Sequence, residues 1–268
     1  MTIDPRDQFK QGHLTPSIEG MTQEVKRNPT DAQRRTFLAE LLCFSCEFER
    51  ADRLLDVVAS QDAGRAIEIS QFRQVLRAEV VRHQVFEDGR APEFLGPPPP
   101  HVEDALRALA ALRAGDAATA AALVASAEHR RPPAPCICNG QPFDDFRDAD
   151  DLTAGLLEVL TMTGQYYWVP LREIGSVTFQ PPRRPRDMIW RRARLTMRNG
   201  PDGDVVVPAL YPLWPADAND TLRLGQATDW TAGAPVRGIG QRVFLAGELD
   251  IAVTALNILR FESASAGS

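Results

Sequence analysis

Lysine is nearly missing from this chain: Lys10 and Lys26 are the only two, and arginine supplies every other strongly basic side chain. That bias points to GC-rich coding and not to a function. A basic surplus is missing as well. Thirty Lys and Arg face 36 Asp and Glu, a net charge of −6, which removes the electrostatic basis for a dedicated nucleic-acid binder or for lying on an anionic membrane. Cysteine is scarce. Four in 268 residues do not make a disulfide scaffold, and they fit a reducing cytoplasm. No run approaches 18 uncharged apolar residues, since even Ala105–Ala127 is broken by Arg107, Arg113 and Asp116, so no membrane span is expected. The N-terminus has no basic patch followed by an apolar stretch, so no secretory signal is expected. His13, His83, His101 and His129 lie apart, none at metal-ligand spacing. Gly238-Ile239-Gly240 lacks the third glycine of a dinucleotide loop and reads as a turn.

What is present divides the chain in two. All three tyrosines and all four tryptophans, Trp168, Trp190, Trp214 and Trp230, fall in the second half. The first half is rich in the helix formers Ala, Leu, Glu and Arg. Pro132, Pro133 and Pro135 cannot continue a helix, so the division is set at 1–132 and 133–262, with 263–268 a frayed polar tail. Pro97–Pro100 favours polyproline II and reads as an ordered spacer. In the first half, Ser17, Met21 and Glu24 recur 34 residues later as Ala51, Leu55 and Val58, after a helix presenting Leu38, Ala39, Leu42 and Cys46. A third copy fits around Gly115, with Ala120, Val124 and Ala127. This spacing belongs to tetratricopeptide hairpins. Ala66–Phe86 reads as one long helix burying Ile69, Phe72, Leu76 and Val80. In the second half, 150–163 reads as a helix with a stripe of Leu152, Leu156, Leu157 and Leu160 that stops at Gly164. Short strands follow at 166–169, 176–179, 193–197, 205–210, 242–245 and 255–261. The fold class is therefore α+β in two domains: a tetratricopeptide-like helical domain, then a mainly antiparallel α+β domain.

Four constellations carry the chemical alternatives. Cys43-Phe44-Ser45-Cys46 sits inside a predicted helix and reads as buried structural cysteine; Cys136-Ile137-Cys138 is the more exposed pair, and its spacing is poor for zinc. Asp144, Asp145, Asp148, Asp150 and Asp151 cluster before the predicted 150–163 helix. They read as capping carboxylates at its N-terminus or, alternatively, as a divalent-cation site of a metal-dependent hydrolase. The arginine stretch Arg183–Arg198, with Trp190 interleaved, suggests an ion network with that aspartate run or, less favoured, single-stranded RNA binding.

Several segments together resemble a known family. Glu40-Leu41-Leu42-Cys43-Phe44 and Glu49-Arg50-Ala51-Asp52 are similar to the first-half signature of the ImpE/TagJ (SciE-type) accessory proteins of bacterial type VI secretion systems. The second half matches through Phe146–Asp151, Gly164–Pro170, Arg186–Arg191, Pro208–Pro212, Arg223–Trp230 and Gly240–Arg242. The resemblance runs from Leu14 to Phe261. It implies a cytoplasmic, non-enzymatic adaptor linked to virulence secretion, with no cofactor and no metal. Its partners would be a helix of the small contractile-sheath subunit and the ClpV-type ATPase that recycles the sheath, and not nucleic acid or membrane. The family-motif residues Asp148, Asp150, Asp151, Trp168, Arg186, Asp187, Trp190, Arg191, Tyr211, Asp229 and Trp230 are expected to be structural. Stacked hairpins leave a concave groove suited to an amphipathic helix. Leu14, Ile18, Leu38, Leu42, Leu54 and Leu55 are expected in its core, and Arg34, Arg35, Glu40, Arg50, Arg53 and Trp190 as protein contacts.

Overall fold

Helix starts are set by short polar caps. In the computed structural model, which describes residues 3–212, 215 and 218–262, the Asp4 carboxylate accepts from the Arg6 amide and Pro5 opens α1 (Pro5–Lys10), a preferred pairing at helix N-termini. Then come α2 (Leu14–Arg27), α3 (Ala32–Phe44), α4 (Phe48–Gln61), α5 (Ala66–Glu87), α6 (Pro100–Arg113) and α7 (Ala117–Arg130). Asp31 caps α3 and Asp116 caps α7 in the same way. Most repeat positions behave as packing positions: Ser17, Ala51, Leu55, Val58 and Ala120 are fully buried, as is Leu14, whereas Glu24 is half-buried and pairs with Arg27 and Arg34. Gly115 turns α6 into α7 with φ +76°. The equivalent left-handed turn between α3 and α4 is made by Cys46, at φ +56°, where glycine is the usual residue. Cys46 thus lies outside the helix that was expected to contain it. Pro99 adopts polyproline II angles and Pro100 is the first residue of α6, so the proline run is a helix lead-in.

The remaining strands are β1 (Cys136–Cys138), β2 (Gln141–Phe143), β3 (Phe146–Asp148), β4 (Leu156–Thr161), β5 (Tyr166–Pro170), β6 (Ile174–Phe179), β7 (Trp190–Met197), β8 (Gly203–Pro208), β9 (Thr228–Trp230), β10 (Gly238–Gly240), β11 (Val243–Ala246), β12 (Leu249–Ala252) and β13 (Ile258–Phe261), with a one-turn α8 (Asp220–Arg223) before β9. An antiparallel sheet runs in the order β2-β1-β13-β6-β7-β8-β4-β5, beside a β12-β11-β3 sheet and a β10-β9 ribbon. The helix expected at 150–163 is instead a turn followed by β4. The cause is burial on both faces: Leu156 and Leu160 join the core shared with the helices, while Leu157 and Val159 join the core on the opposite face. A strand apolar on both faces shows no alternation and mimics a helical stripe.

The large sheet's inner face packs directly on α5. Phe86 meets Trp168 with ring centroids 6.1 Å apart, and Phe72 meets Trp190 at 6.0 Å. The segment after α5 covers the sheet's outer edge: the Glu93 amide donates to Tyr166 O, and the Trp168 amide to Glu93 O. Edge strands protected in this way do not template aggregation.

Gly238 and Gly240, expected in a simple turn, form β10. A Cβ placed on Gly238 would fall within the buried Tyr211 ring, and Tyr211 is pinned through its hydroxyl to Asp148 Oδ1 at 2.8 Å. Overpacking of a pinned ring gives no room to relax. Gly238→Ala is therefore expected to destabilise the protein by about 2 kcal/mol, read as a lowered thermal midpoint; an unchanged midpoint would show that the ring yields. No helix among the described residues is long and apolar enough to cross a membrane. Trp214 and the tail 263–268 lie outside the described residues.

Candidate functional site

Two features stand out: a groove on the helical half and a charged network buried where α5 meets the sheet. The network begins with α5 turning polar just where its buried stripe reaches the sheet. Arg82, 2% exposed, donates from Nε to Glu158 Oε1 on β4 at 2.7 Å and from Nη1 to Glu79 Oε1 at 2.7 Å. Its Nη2 also reaches Leu210 O at 2.9 Å. Glu158 accepts from Arg242 and from the Tyr166 hydroxyl, which itself accepts from Trp168 Nε1 at 2.5 Å. Arg242 bonds Asp148 Oδ2 at 2.5 Å, and both residues are fully buried. Asp150 takes Arg237 Nε at 2.8 Å plus the amides of Leu152 and Gly238. Trp190 Nε1 donates to Glu79 Oε2 at 2.9 Å. Burial alone would raise Glu79, but Arg82 and His83 outweigh it and hold the carboxyl at about 2. Burial raises Asp148 despite Arg242, and lowers Arg242 despite Asp148.

These contacts settle the roles of several sequence candidates. The aspartate run caps no helix, since β4 stands where that helix was expected. Its carboxylates also do not converge on a common point. Asp145 is taken by Arg131 and the Ala134 amide, Asp148 by Arg242, Thr153 and Tyr211, Asp150 by Arg237, and Asp151 by Arg147 and the Val236 amide. Among the described residues no three His, Cys, Asp or Glu are placed to hold a metal ion. The arginine stretch was expected to pair with this run and does not. Arg184 and Arg186 reach Glu68 on α5, Arg186 also approaches Glu40, and Arg194 reaches Asp204. Arg191 is spent on the carbonyls of Val253, Leu256 and Gln180. Asp187 accepts from the amides of Arg183 and Arg184. Cys136 and Cys138, expected to be the exposed pair, are buried, whereas Cys46 is half-buried.

The groove, about 730 Å³, is lined by alternate helices of the stack: Arg6, Phe9 and Lys10 of α1, then Gln33, Thr36 and Phe37 of α3, then Arg65 and Glu68 at the start of α5. Its far end is closed by Arg184 and Pro185, which lead into a 3₁₀ turn, Pro185–Met188. Arg6 lies over the Phe37 ring at 4.6 Å, and the groove combines apolar lining from Phe9, Ala32 and Phe37 with bases (Arg6, Lys10, Arg65, Arg184) and acids (Asp31, Asp62, Glu68). Of the expected contact residues, Glu40 lies at the base of this groove, and the others lie elsewhere. Arg34 is drawn to Glu24 and Asp31, and Arg35 to Pro29 O. Arg50 and Arg53 line a separate depression of about 590 Å³ near the α3–α4 turn. Glu40, expected to be exposed, is 5% exposed, and Trp190, expected as a structural family-motif residue and as a protein contact, is 4% exposed. Glu40 faces Arg186 at 3.2 Å; burial, opposed by Arg186, pushes its carboxyl up to about 7. Trp230 departs the other way. It is 38% exposed and lies over Tyr211, and Asp229 beside it is exposed. The groove residues of α1 went unnoticed in the sequence, although Asp4-Pro5 is a helix-start signal that would have located them.

The model of the ImpE protein family matches residues 140–260, which include every strand from β3 through β12. The type VI secretion system accessory component TagJ of Pseudomonas aeruginosa is 31% identical over 259 residues, covering 96% of this chain and 91% of that protein. A crystal structure of protein VPA1032 from Vibrio parahaemolyticus shares the fold with a TM-score of 0.90 at 24% identity, over 98% of each chain.

Proposed function

Because the chain belongs to the ImpE/TagJ family of type VI secretion accessory proteins, we propose that it works in the cytoplasm as a non-enzymatic adaptor. Its groove on α1, α3 and α5 receives a helix of the small contractile-sheath subunit, and through that contact it assists a ClpV-type ATPase in recycling the sheath. The observation that carries this reading is the similarity to an accessory component along 96% of the chain. The groove supports it physically, since alternate helices of a hairpin stack line it with apolar side chains, Phe9, Ala32 and Phe37, of the kind that receive the apolar face of an amphipathic helix. The carboxylates of Asp145, Asp148, Asp150 and Asp151 support it as well: each is already held by arginines and backbone amides, which leaves only the exposed Asp144 of that run outside such pairing.

Gln33 is exposed on the groove wall and supports no core contact. A Gln33→Trp variant is expected to leave folding intact and to weaken binding of a synthetic sheath-subunit helix at least about tenfold, or 1.4 kcal/mol. Calorimetric titration of that peptide into the full chain reads the change. If the wild-type chain shows no saturable binding of the sheath helix, the adaptor reading fails; if Gln33→Trp binds as tightly as wild type, the groove is the wrong surface.

A further inference from the structure

A second cavity, of about 170 Å³, lies between α5 and the stretch 180–192, and the groove reading does not use it. Its floor is apolar, built from Val75 and Met162 beside Phe72, whose ring is covered by the Arg186 guanidinium at 4.3 Å. Its rim carries Arg183, Arg184, Arg186 and Arg192 against only Glu68 and Asp187. Arg184 and Arg186 are engaged by Glu68, and Asp187 by two backbone amides. Arg183 and Arg192 are exposed, and their guanidinium groups make no hydrogen bond or ion pair with a described residue. In a chain of net charge −6, two uncommitted arginines beside an apolar floor form a local surplus of the opposite sign.

We propose that this cavity is a docking site for an acidic peptide segment of a partner protein: one apolar side chain sits on Val75 and Met162, and flanking carboxylates are held by Arg183 and Arg192. Size selects the occupant. The cavity is well below the roughly 300 Å³ at which small-molecule sites begin, so it has room for one side chain and not for a nucleotide. Chemistry selects the flanks, because a planar guanidinium matches a carboxylate in two parallel hydrogen bonds. Single-stranded nucleic acid is disfavoured: stacking needs an open aromatic face, whereas Trp190 is 4% exposed and tied to Glu79.

The site needs no sheath helix and stands or falls apart from the groove. Titration of the full chain with a short synthetic peptide, a single leucine flanked on both sides by glutamates, is expected to give saturable binding that weakens as salt is raised. Affinity is expected to fall at least tenfold when the peptide's glutamates are replaced by glutamines. The same loss is expected for the combined Arg183→Ala and Arg192→Ala variant, whose thermal midpoint should stay at the wild-type value because both side chains are exposed. The glutamine peptide uses the wild-type chain, so this arm holds even if the double variant folds poorly. Absence of saturation, equal binding of the glutamine peptide, undiminished binding by a folded double variant, or tighter binding of oligo-dT or inorganic phosphate would each overturn the proposal.

Discussion

Replacing Arg242 by methionine is expected to cost about 3–5 kcal/mol of folding free energy, the range for breaking a buried ion pair by removing one partner. Arg242 is fully buried between Asp148 and Glu158, which are fully buried too. Methionine fills much of the arginine stem's volume, so the loss measures uncompensated charge and not a cavity. Glu158 keeps Arg82 and Tyr166, whereas Asp148 keeps only neutral donors, Thr153, Tyr211 and the Asp150 amide. Denaturant titration reads the effect as a lowered midpoint with unchanged slope, and thermal unfolding as a drop on the order of 10 °C. Adding Asp148→Asn to Arg242→Met is expected to recover part of the loss, because the stranded carboxylate goes with its partner. A single-variant cost under 1 kcal/mol would mean that water reaches the network and that α5 is not held to the sheet through it.

The second expectation concerns pH. Glu40 holds its proton up to about pH 7 in the folded chain, against an ordinary value of 4.5. Between those two values the unfolded chain has released a proton that the folded chain still binds, so stability falls as pH rises through the window. Two and a half units correspond to about 3 kcal/mol. Glu40→Gln cannot titrate and is expected to gain about that much on the wild type between pH 4.5 and pH 8. The groups facing Glu40 are Arg184, Arg186, Asp187 and Glu68, and Arg186 remains paired to Glu68 in the variant. Glu79 acts in a different window and with the opposite sign: its carboxyl lies at about 2 in the folded chain, so its contribution is present above pH 4.5 and is lost as pH falls toward 2. Unfolding free energies for wild type and Glu40→Gln at half-unit pH steps check both. Parallel curves from pH 4.5 to 8 would remove Glu40 as the titrating group.

Glu40 also shows where reading by residue type stops. As one glutamate on a helix rich in apolar residues it looked solvated, and only the 3₁₀ turn arriving from the sheet half buries it. Trp190 likewise depends on a distant partner: Arg192 is exposed, whereas Arg191 and the Trp190 side chain are buried, and Trp190 Nε1 donates to Glu79 on α5. The partners of Asp148 and Asp150, Arg242 and Arg237, stand 94 and 87 residues downstream, a separation at which no local pattern pairs one charge with another.

Local periodicity and cap chemistry determined the helical half, because the 34-residue spacing of Ser17, Met21, Ala51 and Leu55 records contacts between neighbours in the chain. Alternation likewise determined β6 and β7, whose buried and exposed positions alternate, and composition the division into helical and sheet-rich halves. Tertiary structure alone decided the rest. Burial on both faces erases the signal that separates strand from helix, which is why β4 read as a helix. Pairing of buried charges depends on which distant segments the fold brings within 3 Å, and that made Arg82, Glu158, Arg242 and Asp148 one network. Where a groove opens is set by the packing of α1, α3 and α5, so its lining could be named only once those helices were stacked.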